Sequence, residues 1–544
     1  MPWVRYWPAD VPIHVDYPVV TLYDRLRESA RKYPNQVALW YEGRELTYAD
    51  LDSLTDRFAA GLQELGIIKG DRVALYLPNS PHFVVALYGI FKAGAVAIPC
   101  NPAYKEEELH HLLKDSGAKI LVTVDKLVDT ALNVLSDTSV GKIIISDGLD
   151  FLVKSNDLGR RLGGLGVEII SLGDFLESSP SRPKDVEIDA REDIALICYT
   201  GGTTGTPKGV MLTHYNCVVN NIQKITTWKL REAGEVLLIY LPLTHIYGLN
   251  WCLNTGIGIA AKIILQQRFN IEKTLEAIEK HRVTIFYGVP PVYVALSRHP
   301  EIKKRDLSSV RIWMSAAAPL LPEVRKRFEE ITGIKIIECW GLTEAAPCLT
   351  FTPLDIQEVK PNLIGIPTID TEVKVIDIET GLEAGPNEVG ELVAKGPQVM
   401  KGYWNNPEET SRVLKNGWLR TGDLGYMTED GLFYYVDRIK DLINVGGFKV
   451  WPAEVENILL SHPAVLDCTV VAEEDEYYGE VPKAFVVLRD EYKNKVSSGD
   501  LIGYCRERLA SFKAPRYVVF VDEIPRSPAG KVLRRIFKKK NLTA

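Results

Sequence analysis

Threonine, glycine and lysine are concentrated in one stretch, YTGGTTGTPKG, which runs from Tyr199 to Gly209. Glycine lets a backbone turn so that several N–H groups point at one anion, and threonine hydroxyls add further donors. Lys208 supplies a mobile positive charge. The stretch follows an apolar run, Ile194 to Cys198, which is typical of a buried strand. The sequence therefore predicts a phosphate-binding loop after a strand.

The end of this loop excludes the best-known class of nucleotide cradle. A Walker loop ends in Gly-Lys-Ser/Thr, because its lysine reaches the β- and γ-phosphates and its hydroxyl binds Mg²⁺. Here Lys208 stands between Pro207 and Gly209, so neither the glycine nor the hydroxyl is where that geometry needs it. The loop is expected to hold phosphate in another way.

Four further short motifs carry candidate reactive side chains. ECWGLTE ends in Thr343 and Glu344, and LRTGDLG places Asp423 in a predicted tight turn. Arg438 follows at a predicted domain junction, and PRSPAGK ends in Lys531. Taken singly, such an aspartate is usually a turn former and such a lysine a solvated charge, so their meaning depends on the whole set.

In their order and spacing, the five motifs resemble those of the acyl-adenylate-forming superfamily. That superfamily includes acyl-CoA synthetases, adenylation domains of peptide synthetases and beetle luciferases. The resemblance extends from Leu22 to Arg535, and the segments WPADVP and LPLTHIYG look most like fatty-acyl-CoA synthetases of medium- or long-chain type. It implies two steps. A carboxylate attacks the α-phosphorus of ATP and expels pyrophosphate, and CoA thiolate then displaces AMP from the acyl-AMP.

The resemblance implies that the threonine- and glycine-rich loop holds the β- and γ-phosphates, which are the leaving group. Glu344, with Thr200, is expected to coordinate Mg²⁺, an ion that prefers hard oxygen ligands. The expected phosphate contacts are Thr200, Gly201, Gly202, Thr203, Thr204, Gly205, Thr206 and Lys208.

The nucleoside part of ATP is assigned by the same resemblance. Trp340 is expected to stack on adenine, since a flat aromatic ring offers dispersion and a π-face. Asp423 is expected to accept hydrogen bonds from the ribose hydroxyls, assisted by Arg438. The expected ATP and AMP contacts here are Ala316, Ala317, Ala318, Glu338, Cys339, Trp340, Gly341, Leu342, Thr343, Asp423 and Arg438.

The C-terminal motifs are expected to serve the two half-reactions in turn. Lys531 is implied to counter the charge that builds on the carboxylate and the α-phosphate. Lys440 matches the family's hinge position, about which a small domain rotates. After rotation, Gly446 and Gly447 would leave room for the pantetheine arm of CoA, and Lys449 would meet a CoA phosphate. The expected catalytic residues are Lys531, Glu344, Thr200 and His245.

An acyl pocket is predicted from the absence of acidic residues. Between Leu241 and Asn270 there is no Asp or Glu, whereas a buried amino-acid ammonium would need one. The stretch is apolar and aromatic and predicts a tunnel for an acyl or aryl tail, whose length stays open. By resemblance, His245 borders the carboxylate. The expected acyl contacts are His245, Tyr247, Trp251, Tyr287 and Gly288.

The predicted function is an ATP- and Mg²⁺-dependent ligase that joins a fatty acid to CoA. Alternatives that share the motifs are an aryl or short-chain acid–CoA ligase, a ligase that loads a carrier protein, a luciferase-like oxygenase and a non-catalytic nucleotide-binding scaffold. Retention of Lys531 and Glu344 argues against the last of these.

Composition limits the partners and the compartment. The net charge of −7 gives no reason to expect nucleic acid, and the eight cysteines never occur as CxxC, which favours buried free thiols in a reducing cytoplasm. The longest apolar stretch, His82 to Cys100, is interrupted by Lys92 and Gly94, so it predicts a core helix followed by a strand and no transmembrane segment. The resemblance adds the expectation of a homodimer.

The elements that must position these residues form an α/β fold. Strand signals alternate with helices of 10–15 residues, which implies βαβ units and mainly parallel sheets. We predict a large N-terminal domain of two α/β subdomains plus a small β-rich subdomain, followed by a small mobile α+β C-terminal domain. The predicted bounds are residues 1–437 for the adenylation domain, 438–440 for the hinge and 441–544 for the C-terminal domain.

Overall fold

The computed structural model describes residues 2–146, 167–200, 207–353, 356, 359–526 and 532–538. It confirms the α/β class, with most of the chain in a large N-terminal part and a smaller C-terminal part. The α-helices are Leu22–Lys32, Tyr48–Glu64, Pro81–Lys92, Glu106–Ser116, Val128–Asn133, Leu172–Ser178, His214–Thr227, Thr255–Gly258, Ile271–His281, Pro290–Arg298, Pro322–Thr332, Pro407–Val413, Pro452–Leu460, Ser498–Arg506 and Arg535–Lys538. A π-helix spans Tyr247–Asn254, and 3-10 helices span Pro2–Tyr6, Asp125–Leu127, Ile302–Lys304, Thr343–Ala345, Ile439–Asp441 and Asp490–Tyr492.

The large sheet has a parallel half and an antiparallel half. Its parallel half contains the strands of the second α/β unit, and its antiparallel half is the predicted β-rich part. In spatial order the strands are Glu372–Ile376, Gly390–Lys395, Trp418–Met427, Phe433–Arg438, Leu363–Pro367, Cys348–Phe351, Ile336–Gly341, Ile312–Ser315, Ile285–Gly288, Val236–Ile239, Lys262–Leu265, Val37–Tyr41 and Arg44–Thr47, with Leu414–Lys415 paired to Trp418–Met427.

Two smaller sheets complete the molecule. The eight-stranded sheet is mainly parallel, and the five-stranded sheet with its own apolar core lies after residue 442. The first, in spatial order, contains Gly402–Tyr403, Lys208–Thr213, Ile194–Thr200, Val96–Pro99, Arg72–Tyr76, Ile120–Val124, Lys142–Ser146 and Glu168–Ser171. The second contains Phe448–Val450, Ile443–Val445, Gly479–Leu488 and Val465–Asp475, with Tyr517–Phe520 paired to Gly479–Leu488.

Local sequence signals explain several of these elements. Thr47 and Asp50 form a reciprocal capping box that starts the helix Tyr48–Glu64. The long apolar stretch is a fully buried helix, Pro81–Lys92, followed by the strand Val96–Pro99, as predicted. Within the described ranges, no helix combines the length and the apolar character needed to span a bilayer.

Candidate active site

Four neighbouring parallel strands of the large sheet end at one edge, and the predicted nucleotide and acyl residues follow those ends. The strands end at Ile239, Gly288, Ser315 and Gly341. In open α/β sheets ligands bind outside the carboxyl ends of the strands. A cavity of about 50 Å³ lies there, and the predicted residues that line it are His245, Tyr247, Trp251, Ala316, Ala317, Cys339, Trp340, Gly341, Leu342 and Thr343.

A buried π-helix forms the side of this cavity that is predicted to bind the acyl group, because it supplies both Tyr247 and Trp251. The side-chain amide of Asn250 donates to the carbonyl oxygen of Ala346 at 2.6 Å and so ties the helix to the segment after Gly341. Tyr247 donates from Oη to the carbonyl oxygen of Gly288 at 3.3 Å. These bonds hold two of the predicted acyl contacts on a rigid wall.

Tyr287 and Gly288 lie behind that wall. The Tyr287 ring packs edge-to-face on Tyr247 with 6.3 Å between the ring centroids. A Cβ atom on Gly288 would lie 2.4 Å from the Tyr293 ring, so only glycine fits at this position. The end of this strand therefore packs directly against Tyr293.

His245 borders the cavity with a defined tautomer. The backbone N–H of Tyr247 donates to His245 Nδ1 at 3.2 Å. A nitrogen that accepts a hydrogen bond carries no proton, so the neutral ring has its proton on Nε2. Half-buried at the cavity rim, His245 can therefore donate to an oxygen of a bound carboxylate.

On the side of the cavity that is predicted to bind adenine, two backbone segments lie very close to each other. A Cβ on Gly341 would lie 1.9 Å from the carbonyl oxygen of Pro347, so a side chain is excluded there. Ala317 has a φ of 74°, a left-handed conformation that is strained for a residue with a Cβ. Such strain clusters at functional sites. Ala318 follows it and is half-buried.

Asp423 is the centre of a buried polar group. Trp340 donates from Nε1 to Asp423 Oδ2 at 2.9 Å, and Arg438 Nε lies 3.2 Å from Oδ1. The predicted tight turn is wrong, because Asp423 lies within the ten-residue strand Trp418–Met427, directly opposite Arg438. Strand pairing places both side chains on one face, so the carboxylate has its two partners in position without a turn.

Glu338 has a different environment from its neighbours in the motif. Its carboxylate binds the Arg325 guanidinium and accepts a hydrogen bond from the backbone N–H of Leu320 at 3.1 Å. The side chain therefore braces the helix Pro322–Thr332 against the strand Ile336–Gly341. An ATP contact by Glu338 stays a prediction.

Thr200 and Lys208 stand directly opposite each other at the ends of two paired antiparallel strands. Thr200 Oγ1 donates to the carbonyl oxygen of Lys208 at 3.5 Å. The residues between them that were predicted to bind phosphate lie outside the described residues, as does Lys531. These are Gly201, Gly202, Thr203, Thr204, Gly205, Thr206 and Lys531.

A chain of contacts that the sequence analysis missed joins Lys208 to Glu344. Lys208 Nζ lies 2.5 Å from Glu409 Oε1 and 5.3 Å from the ring centroid of Tyr403. Tyr403 donates from Oη to Glu344 Oε1 at 2.8 Å. Arg412 and Lys208 hold the pKa of Glu409 down to about 2, so this partner is ionised. The strand pair Gly402–Tyr403 with Val210 and Met211 brings the parts together.

The predicted hinge and CoA residues are at the start of the C-terminal part. Lys440 is exposed in the 3-10 helix Ile439–Asp441. Gly446 and Gly447 have φ of 57° and 94° and form the exposed turn between two strands. Lys449 Nζ lies 2.5 Å from Glu379 Oε1, so its charge is paired with the β-rich part of the large sheet.

A cluster of ion pairs around Arg534, which the sequence did not predict, lies beside the predicted hinge. Arg534 contacts Asp437 at 3.3 Å, Asp441 at 3.1 Å and Glu456 at 2.9 Å. Burial raises the pKa of Asp437 to about 6, against the opposing effect of Arg534. The cluster connects the residues on either side of Lys440 to the last helix that the structure describes.

A second cavity of about 480 Å³ lies next to the segment that carries His245. Thr244, its neighbour in the chain, lines this larger cavity, whereas His245 lines the smaller one. Arg268 and Arg526 give the larger cavity two positive side chains. Consecutive residues of this segment therefore line different cavities.

Two family models match the chain. AMP-binding enzyme matches residues 26–404, and AMP-binding enzyme C-terminal domain matches residues 454–531. The predicted hinge lies between the two matches.

Three known proteins are similar over nearly their whole length. A long-chain-fatty-acid–CoA ligase of Bacillus subtilis (strain 168) is 40% identical and covers 98% of this chain and 97% of its own. A 4-coumarate-CoA ligase of Narcissus pseudonarcissus is 35% identical, with coverage of 91% and 88%. The crystal structure of ATP-bound MatB from Rhodopseudomonas palustris superposes with a TM-score of 0.85 at 28% identity, over 95% of this chain and 98% of that one.

Proposed function

The chain belongs to the AMP-binding enzyme family, and we propose that it activates a fatty acid with ATP as acyl-AMP and then joins the acyl group to CoA. The observation that carries the proposal is the strand edge at which a buried cavity and an Asp423–Trp340 pair meet. A carboxylate site and a nucleoside site side by side are what adenylate formation requires.

In the adenylation step the residues position the reactants and neutralise charge. Trp340 and Asp423 hold adenine and ribose. The His245 Nε2–H donates to the acid's carboxylate, and one carboxylate oxygen forms a bond to the α-phosphorus as the bond to the pyrophosphate oxygen breaks. Lys208, oriented by Glu409, and the loop before it bind the departing pyrophosphate. Lys531 counters the charge on the α-phosphate, where electrostatic stabilisation contributes most.

The donor set fits Mg²⁺ with Glu344 and Thr200 as its protein ligands. Both offer oxygen atoms, and Tyr403 orients the Glu344 carboxylate. Within the described residues no three His, Cys, Asp or Glu side chains form a metal cluster. A site with only one or two protein ligands is typical of Mg²⁺, because this ion takes most of its oxygen ligands from nucleotide phosphates and water. Bound there, the ion would neutralise phosphate charge.

In the second step CoA thiolate attacks the acyl carbon and AMP leaves. Rotation about Lys440 would withdraw Lys531 and bring Gly446 and Gly447 to the site, with Lys449 released from Glu379 to meet a CoA phosphate. The larger cavity is a route for the pantetheine arm in this proposal, because Thr244, the chain neighbour of His245, lines it together with Arg268 and Arg526. The alternative function differs from this one only in the second step, where a carrier protein instead of CoA would accept the acyl group.

The acid is a fatty acid in this proposal because the cavity wall is apolar and aromatic and because the Bacillus subtilis relative is named for long-chain fatty acids. An aryl acid is the second candidate, since the Narcissus relative is named for 4-coumarate.

The domain bounds, the compartment and the assembly belong to the same proposal. Residues 1–437 would bind ATP and the acid, and 441–544 would rotate about 438–440. All eight cysteines lie in described residues, free of disulfides and, except for Cys339, buried, which favours a reducing cytoplasm. A homodimer is expected from the family.

Carboxylate-dependent exchange of labelled pyrophosphate into ATP tests the proposal. Acids of increasing chain length and 4-coumarate are compared, with and without CoA. We expect exchange without CoA and thioester formation when CoA is added. The absence of exchange with every acid would refute adenylation, and exchange without thioester formation would favour a carrier protein.

A further inference from the structure

A buried ammonium lies against the wall of the acyl cavity. Lys224, on the helix His214–Thr227, is 1% exposed. Its Nζ donates to the backbone carbonyl of Trp251 and, at 2.7 Å, to Tyr287 Oη. Nζ also lies 4.9 Å from the Trp251 ring centroid and 4.2 Å from that of Tyr287. Trp251 lines the cavity, so the charge is one side chain away from bound acid.

Among the residues that the structure describes, no carboxylate is paired with Lys224. The ionisable groups that act on it are the thiols of Cys252, Cys339 and Cys348. Lys92, which is also buried, shows the usual arrangement, because it binds Asp52 and Asp56 at 2.6 Å each. Buried charges are normally paired in this way, and an unpaired one is costly.

The ammonium has a donor to spare for a ligand. It carries three N–H groups, and the bonds to Trp251 and Tyr287 use two of them. Burial lowers the pKa of Lys224 to about 8, so most of it is still protonated at neutral pH. Cys339 and Cys348, two of the thiols that act on Lys224, also line the cavity.

We propose that Lys224 is a specificity-determining residue that binds a terminal oxygen of the acyl tail, where the tail reaches Trp251 and the ammonium behind it. Tails that end in a hydroxyl, carbonyl or carboxylate would complete the hydrogen bonding of the ammonium. A methyl end would leave a buried cation against hydrocarbon. This inference rests on the proposed function, because the tail belongs to the acid whose carboxylate meets His245.

The position of Lys224 predicts a preference for one tail length. Two hydrogen bonds and two ring contacts hold its Nζ in place. In this proposal the reacting carboxylate is held at His245, on the rim of the cavity that Trp251 lines. Because both ends are held, the oxygen preference should be greatest at one length and fall on either side of it.

Stable acyl-sulfamoyl adenosine analogues test this by isothermal titration calorimetry. At each length an ω-hydroxyacyl analogue is compared with a methyl-ended analogue that has the same number of non-hydrogen atoms. We expect the hydroxyl-ended analogue to bind about tenfold more tightly at the preferred length, the ratio for one hydrogen bond to a charged group. In Lys224→Met the ratio should fall to about one. Lys229→Met, an exposed lysine just after the same helix, is the matched control and should keep the wild-type ratio.

Other outcomes overturn the inference. A wild-type ratio near one at every length, or an unchanged ratio in Lys224→Met, contradicts it. If Lys224→Met shows no cooperative melting transition, Lys224→Gln replaces it, since an amide still donates to Trp251 but carries no charge, and its ratio should also fall. Thioester formation with CoA is measured separately. If the binding ratio is as expected but no thioester forms, the ligase proposal is contradicted and the role of Lys224 is still supported.

Discussion

Tyr403→Phe removes one hydroxyl that connects two parts of the site. The substitution keeps the ring, and with it the 5.3 Å contact to Lys208 Nζ. It deletes only the 2.8 Å hydrogen bond to Glu344 Oε1. Tyr403 is 8% exposed, so water does not freely replace the lost donor. Any loss of function then reports the position of the Glu344 carboxylate.

The size of the effect follows from the charge on Glu344. A hydrogen bond to a charged group contributes about 1.5–3 kcal/mol, and loss of a partner that orients a metal ligand typically costs about 10–100-fold in affinity. We expect the Mg²⁺ concentration for half-maximal pyrophosphate exchange to rise about tenfold or more, and the KM for ATP to rise with it. Burial and the Glu344 carboxylate raise the pKa of Tyr403, so the phenol stays a donor and the effect should not vary with pH in the neutral range.

The control is Tyr76→Phe. Tyr76, at the end of a strand of the eight-stranded sheet, donates from Oη to the carbonyl oxygen of Tyr104, also at 2.8 Å. This variant should keep the wild-type Mg²⁺ requirement. The reasoning is refuted if Tyr403→Phe stays within about twofold of wild type, or if both variants shift equally.

Three further predictions use the same assays. Lys531→Ala should lose pyrophosphate exchange but retain thioester formation from supplied acyl-AMP, and equal loss of both would contradict alternation of the C-terminal part. Asp423→Asn should raise the KM for ATP about tenfold or more and lower the melting temperature, because it removes the negative charge that lies 3.2 Å from the half-buried Arg438; an unchanged KM would argue against ribose binding. The oxygen preference at Lys224 should be present below pH 8 and decline above it, as the amine with a pKa of about 8 loses its proton, and a flat profile in analogue titrations would argue against a charged donor. The groups that face Lys224 are Cys252, Cys339, Cys348 and Tyr287.

Local signals made much of the fold predictable. The capping box of Thr47 and Asp50 lies within one helical turn, so it could be identified without any tertiary information. The same holds for the apolar helix Pro81–Lys92 and the strand after it. The nucleotide and acyl motifs follow successive strand ends, so parallel pairing alone brings them to one edge.

Long-range partners could not be predicted in this way. Tyr403 and Glu344 are 59 positions apart, and Lys208 and Glu409 are 201 apart, so no local pattern connects either pair. For Asp423 the Thr-Gly-Asp signal indicated a turn, but pairing with the strand Phe433–Arg438 overrode it. Sheet registers decide such contacts, and they depend on the whole fold.

Transfer of oxygen from the acid is the most direct test of the central claim. A fatty acid with both carboxylate oxygens labelled with ¹⁸O is converted to its CoA thioester, and the AMP and pyrophosphate are analysed by mass spectrometry. If the carboxylate attacks the α-phosphorus, each AMP carries one labelled oxygen and the pyrophosphate carries none. Unlabelled AMP, or label in pyrophosphate or phosphate, would contradict formation of an acyl-adenylate at this site.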